Sequence, residues 1–347
     1  MNFDRLKNRW RSVSLCPLPS ETSLPRLFEK YDSARFEDFF NGQASENEFG
    51  VYYRFFREEL VSKSPASWEK KLFPLLFNLK LVSGIGDKTN EKLKQSGYRS
   101  VLDLYDHPRF GKASAEFQEA LHRENLSVML SYCRSRIGYN HPDLLYLSTF
   151  HSPRQLCFID IETLGLYNCP LFLIGLARWN DTGIQITQYL APSIMQERAI
   201  LAACQKEVGP GSILVTYNGD SFDIPFINDR LRLYQLPTIP RSPSFDMLLY
   251  VRWLWRNRLP NCRLQTVESH MLGRNRKDDV PGSLVPSYYQ AYLSRGNIGP
   301  LIPILEHNQL DLLSLMEIFF TMLQSDQYQN WDKGLSPVPK KDENVSY

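Results

Sequence analysis

The second half of the chain alternates between two apolar patterns. Nearly continuous apolar runs occur at Leu156-Cys157-Phe158-Ile159 and at Ile213-Leu214-Val215-Thr216-Tyr217, with further strand-like segments at 171–179 and 184–190. Runs this short, without polar alternation, predict strands covered on both faces. Longer segments near 194–208, 223–235, 244–257, 263–271, 286–294 and 300–324 predict helices. Three strands, a helix, a strand and then helices predict an α/β fold, a mixed sheet flanked by helices.

The first half differs. Residues 1–50 are rich in Ser, Pro, Asn and charge, and Val51–Phe56 reads as a strand. A helix-like segment runs from about Ala66 to Lys80, and residues 108–150 look helical before becoming a linker punctuated by Pro142 and Pro153. The expected division is a mostly helical N-terminal region (1–150), a main domain (151–325) and a polar tail (326–347) expected to be disordered. No internal repeat is visible.

Composition narrows the function classes. No run of 18 apolar residues exists, and the N-terminus lacks an apolar stretch resembling a signal peptide, so a cytoplasmic protein without membrane association is expected. The six cysteines are scattered, with no Cys-x-x-Cys, which argues against a disulfide framework and a zinc site. Net charge is only +2; residues 1–150 carry 22 Lys and Arg against 19 Asp and Glu, so partner choice rests on local clusters. Arg252, Arg256, Arg258 and Arg263 lie beside Trp253 and Trp255, and Arg274, Arg276 and Lys277 form a second group. Either group suits phosphate contact with aromatic stacking; the alternative is a core Trp253 beneath a solvated arginine face.

The sharpest signal is acidic. Asp160 and Glu162, two apart on a strand, point to one face. Two carboxylates there repel and are poorly hydrated, so a cation should offset them or one should stay protonated. Mg²⁺ or Mn²⁺ suits all-oxygen donors, and two such ions about 4 Å apart stabilise attacking and leaving oxygens of a phosphodiester. Asp223 follows the strand 213–217 and the turn Asn218-Gly219-Asp220-Ser221, at a helix start with Pro225 in its first turn. It reads as a third ligand or as a plain helix cap. His307 and Asp311 share a helix face at i, i+4. Asp311 reads as a fourth ligand. His307 reads as a base for the attacking water or as a capping histidine.

These segments resemble the DEDD exonuclease superfamily on the ribonuclease H-like fold. The matching motifs are Phe158-Ile-Asp-Ile-Glu-Thr163, Tyr217-Asn218 through Phe222-Asp223, and His307 through Asp311. The closer likeness is to the YprB-type ribonuclease H-like family, from about Gln155 to Phe320, including Leu272-Gly-Arg-Asn-Arg-Lys-Asp-Asp-Val-Pro-Gly282. The resemblance implies a nuclease dependent on two divalent ions, with Asp160, Glu162, Asp223 and Asp311 as metal carboxylates and His307 as base. It also implies exonuclease action, 3′ to 5′. Three residues separate His307 from Asp311, where histidine-type members usually have four. Thr163 and Leu164 are expected to line the terminal nucleotide's site, and Asn218 to position the Asp223 turn.

A second resemblance lies in Leu81–Tyr98. Gly84-Ile85-Gly86 makes a tight turn, a helix starts near Lys88, and Gly97 suits its C-terminal cap. This is similar to the helix-hairpin-helix motif, here spanning about 66–107, in which backbone N–H groups meet a phosphate at a helix N-terminus. Lys88 and Thr89 are placed to help, while Asn90 stands where a small residue is usual. The alternative is a structural or protein-contacting helix pair. The hairpin favours DNA as partner; the core accepts RNA as well. The expected function is a metal-dependent exonuclease. The alternatives are a catalytically weak nucleic-acid-binding module and a scaffold in a repair or RNA-processing complex.

Overall fold

The computed structural model describes residues 24–59, 73–180, 183–240, 243–276 and 279–324. The expected tail beyond residue 324 and most of the helix expected from Ala66 lie outside them. The chain packs as two compact units. One comprises 1–64, 154–244 and 276–316; the other comprises 65–153, 245–275 and 317–347. A single cut at residue 150 therefore does not follow the packing: β1 and β2 belong with the sheet, residues 245–275 return to the helical unit, and residues 276–316 return to the sheet unit.

The sheet has seven strands, β1 (Gln43–Asn47), β2 (Gly50–Glu59), β3 (Leu156–Thr163), β4 (Leu171–Trp179), β5 (Ile184–Leu190), β6 (Ile213–Thr216) and β7 (Ser244–Asp246), in the order β1-β2-β5-β4-β3-β6-β7. β3 is antiparallel to β4 and parallel to β6, so the sheet is mixed, as expected. The Val51–Phe56 strand extends over the whole of β2 and pairs antiparallel with β5. The helix expected at 244–257 begins instead as β7, because Asp246 stands extended and accepts from the Leu248 N–H, capping the helix that follows.

The helices are α1 (Leu24–Lys30), α2 (Phe73–Leu76), α3 (Asp87–Gln95), α4 (Gly111–His122), α5 (Leu126–Ile137), α6 (Glu197–Glu207), α7 (Asp223–Leu233), α8 (Met247–Trp255), α9 (Leu264–Leu272), α10 (Val285–Arg295) and α11 (Leu301–Gln324). Cys157, Ile159 and Ile161 of β3 pack with Ile200 and Leu201 of α6 and Ile227 and Leu231 of α7 on one face of the sheet. A second core joins Phe172 and Leu173 to Tyr289 of α10 and Leu301 and Leu305 of α11. Two covered faces explain why the strands read as unbroken apolar runs.

Burial in the first core also encloses Glu197. Its carboxylate accepts from Arg230 Nε at 2.6 Å and from Arg230 Nη2, from the Leu171 N–H at 2.8 Å and from the Tyr234 hydroxyl at 2.8 Å. Every lone pair is used, so the charge is tolerated.

In the helical unit, Leu75, Leu79, Leu81, Val82, Val101, Phe117 and Met129 are buried. The helix expected to reach Lys80 ends earlier: α2 stops at Leu76 and a 3₁₀ turn spans Leu79–Leu81. The stretch expected to be a linker is a 3₁₀ segment, Pro142–Phe150, buried at every position but Asp143. α3 ends in a paired cap: Tyr98 N–H donates to Leu93 O and Gly97 N–H to Lys94 O, with Gly97 at φ +95°.

Arg230→Met should lower stability by about 3–5 kcal/mol, because Glu197 would stay buried and charged. Adding Glu197→Gln should recover much of that loss. Urea midpoints of both variants check this, and a double variant no better than the single would refute it.

Candidate active site

Asp160 and Glu162 lie on the face of β3 opposite Ile159 and Ile161, since side chains alternate along a strand. That face meets α11, where Asn308 Nδ2 donates to Asp160 Oδ2 at 2.7 Å. Helix and sheet come this close because Gly175, the β4 partner of Asp160, has no side chain. A Cβ there would stand 2.1 Å from Asn308 Oδ1. A bulge between Glu162 and Thr163 ends the regular pairing, and Thr163 Oγ1 donates to Gly165 O at 2.6 Å. Leu164 is half-buried against both cores, while Leu166 and Tyr167 beyond it are 67% and 87% exposed.

Asp223 opens α7 and is buried. The turn before it depends on Asn218, at φ +72°, whose carbonyl accepts from the Ser221 and Phe222 N–H groups. Gly219 is pressed against Thr216, where a Cβ would lie 2.3 Å from the threonine Cβ.

His307 and Asp311 do share a face, with Nε2 to Oδ2 at 3.6 Å. The other imidazole nitrogen, Nδ1, is 2.7 Å from Asp279 Oδ1. Burial pulls the His307 pKa down, but the Asp279 hydrogen bond and the charges of Asp311, Asp279 and Asp160 overcome it and leave the pKa raised. Asp279 is held below the usual carboxylate range: burial works against this, and the contacts with His307 and Arg276 prevail.

The carboxylates feel one another. Loss of hydration, then the charges of Asp311, Glu162 and Asp223, push Asp160 well above the usual carboxylate range. Glu162 is pushed up in the same way by burial and by Asp311, Asp223 and Asp279. The five residues expected as catalytic therefore converge.

The donor chemistry of Asp160, Glu162 and Asp223 fits a hard divalent ion: crowded oxygens with excess negative charge. The side chains do not stand as a finished cage, and among the described residues no three His, Cys, Asp or Glu side chains close around a metal position. At Asp311 the reason is Arg276, whose Nη1 lies 2.6 Å from Asp311 Oδ1 and 3.0 Å from Asp279 Oδ2.

That contact corrects the reading of the second arginine group as a phosphate patch. Arg276 is spent on two carboxylates, Arg274 pairs with Glu317 at 2.8 Å and faces Glu268 at 3.8 Å, and Lys277 lies outside the described residues. In the other group Trp255 is the core residue and Trp253 is 48% exposed, its ring 5.1 Å from that of His141. The arginines at 252, 256, 258 and 263 are exposed. Asp279 and Asn308 escaped the sequence reading as site residues. Asp279 sat within a quoted motif and Asn308 beside His307, but neither position has a local signature of its contact.

In the helical unit, Gly84 (φ +86°) and exposed Gly86 flank buried Ile85. α3 starts at Asp87, Lys88 is exposed, Thr89 half-buried, and Asp87 pairs with Lys80 at 2.9 Å.

Residues 157–323, from β3 into α11, match the family model RNase_H_2, described as RNase_H superfamily. The chain is 34% identical over 213 residues to the uncharacterized protein YprB of Bacillus subtilis (strain 168), a match covering 60% of this chain and 48% of YprB. The chain thus spans about half the length of that relative. Among solved structures it is similar to the family B DNA polymerase of Pyrobaculum calidifontis (TM-score 0.41, 15% identity, 48% of this chain and 24% of that one). It is also similar to E. coli Exonuclease I bound to a dT13 oligonucleotide (TM-score 0.30, 16% identity, 46% and 45%). Neither structure's activity transfers to this chain on such partial likeness. Among the described residues no helix is long and apolar enough to cross a membrane. Cys133, Cys157, Cys169 and Cys204 are buried.

Arg276→Met should leave Asp279 and Asp311 without their guanidinium and lower the melting temperature in EDTA. Saturating Mg²⁺ should then raise it by more than in wild type, since a ligand at 100 times its Kd adds roughly 2.7 kcal/mol. An Mg²⁺-induced shift no larger than the wild type's would contradict this account of Arg276.

Proposed function

We propose that the chain is a divalent-metal-dependent nuclease that hydrolyses nucleic-acid phosphodiester bonds as a 3′–5′ exonuclease, with DNA the favoured substrate and RNA accepted. The observation that carries this is the convergence of Asp160, Glu162, Asp223 and Asp311 with His307, in which burial and the neighbouring carboxylates raise the proton affinity of Asp160 and Glu162. Isolated structural carboxylates do not gather on an apolar floor at that energetic cost without a cation to receive. Asp160, Glu162, Asp223 and Asp311 are the residues that would hold two Mg²⁺ or Mn²⁺ ions. Bound there, the ions supply the positive charge that activates water and stabilises the leaving oxygen.

The protein's own groups complete the chemistry. His307 Nε2 faces the carboxylate cluster while Nδ1 is anchored on Asp279, so the ring is oriented to take a proton at Nε2. Asp279 stabilises the imidazolium that results. Thr163 and Leu164 border the terminal nucleotide. Asn218 sets the turn that presents Asp223. In the helical unit, the backbone N–H groups at the start of α3, with Lys88 and Thr89, contact phosphates of the nucleic acid without reading its bases.

Arg276 at Asp311 favours a second reading, a nucleic-acid-binding module that keeps the fold without turnover. A nuclease assay on end-labelled single- and double-stranded DNA and RNA, with Mg²⁺ or Mn²⁺, separates the two. The nuclease reading expects stepwise shortening from the 3′ end, abolished by Asp160→Ala and by Asp311→Asn. His307→Ala should slow it by about 10²–10⁴-fold. Absence of cleavage by folded, DNA-binding wild type would establish the module instead.

Lys88→Glu should weaken DNA binding and flatten the slope of log affinity against log salt by about one. A slope equal to wild type would remove Lys88 from the interface.

A further inference from the structure

A line of buried amides crosses the sheet and ends on Asp160. Arg57 Nη1 on β2 donates to Gln309 Oε1 at 3.0 Å. Gln309 Nε2 donates to Gln188 Oε1 at 2.8 Å, and Gln188 Nε2 donates to Asn308 Oδ1 at 2.7 Å. Asn308 Nδ2 donates to Asp160 Oδ2 at 2.7 Å. Gln188, Asn308 and Gln309 are buried, so these bonds form out of water.

Chemistry sets the direction of the line. A guanidinium only donates, so the Gln309 oxygen must face Arg57. Each amide then has its N–H groups left for the next acceptor. All the dipoles align and the last N–H meets the carboxylate. A run of aligned hydrogen bonds in a low-dielectric interior reinforces itself. The sheet is built around it: Asp160, Gly175 and Gln188 form one row across β3, β4 and β5, and the bare Gly175 lets Asn308 sit over that row. Polar groups buried at this density cost stability unless all are satisfied, and here they serve one carboxylate.

We propose that Arg57, Gln309, Gln188 and Asn308 are positioning residues that fix the Asp160 carboxylate, one Oδ engaged by Asn308, in the orientation that receives a divalent ion. This rests on the nuclease reading above. It makes β2, which lies outside the matched residues 157–323, a functional part of the active site.

The test is Mn²⁺ titration of the full chain, followed by the electron paramagnetic resonance signal of free Mn²⁺, with a thermal melt of each variant. Arg57 is half-buried at a strand position, so Arg57→Met should fold. It should weaken Mn²⁺ binding about tenfold, as loss of an outer hydrogen-bond partner of a metal ligand does. Arg57→Lys should restore most of the affinity. Gln309→Met should weaken binding to a similar degree, and the double variant no further than either single one, because one broken link already interrupts the line. If Asp160→Ala abolishes Mn²⁺ binding but folded Arg57→Met and Gln309→Met bind like wild type, the positioning role is wrong and the nuclease reading stands. Additive effects in the double variant would likewise overturn a single connected line. Wild type that binds no Mn²⁺ would overturn both.

Discussion

Like charges crowded on an apolar floor are the constraint on which the rest of this site depends. β3 is covered on both faces, yet it carries Asp160 and Glu162 side by side on one of them. Asp223 from the start of α7 and Asp311 from α11 add their charge to the same place, and burial raises the proton affinity of both β3 carboxylates. Such an arrangement persists only if neighbours compensate it. Asn308 donates to one carboxylate, and Arg276 spans two others. His307 stands between Asp279 and Asp311, gaining proton affinity from both.

The contrast with Glu197 is instructive. That carboxylate is more deeply buried, yet Arg230, Tyr234 and a backbone N–H occupy its oxygens. It is a finished structural pair. The Asp160 cluster is an unfinished one, with more negative charge than partners. This difference separates a carboxylate that holds two helices together from carboxylates that crowd one another at the end of β3. Gly175 and Gly219 belong to the same economy of space: each removes a side chain where a polar group or a turn must come close.

Much of the fold could be read from the chain because its signals are local. The strands at 156–163, 171–179 and 213–216 announce themselves by apolar runs, and α3 by its flanking glycines. The juxtaposition of these side chains was legible for the same reason: Asp160 and Glu162 by strand alternation, His307 and Asp311 by helix periodicity. Where the expectation failed, tertiary packing outweighed local pattern. Pro142–Phe150 has the punctuation of a linker but is buried as a 3₁₀ segment. Trp253 and Trp255 sit two apart on a helix, and packing alone sends the second inward. Arg274 and Arg276 look like a phosphate patch until each meets its acids.

The sequence by itself determined the central strands, most of the helices around them, the mixed sheet and the identity of the clustered acids, because periods of two and of about four residues are written into neighbouring positions. Only the tertiary structure decided what neutralises those acids and what steadies them. Arg57 meets Gln309 across 252 residues of chain, and Asn308 meets Asp160 across 148. Hydrogen bonds at such separations leave no periodic trace in the chain; they exist only once β2, β5 and α11 have been brought to one place by the burial of their apolar faces.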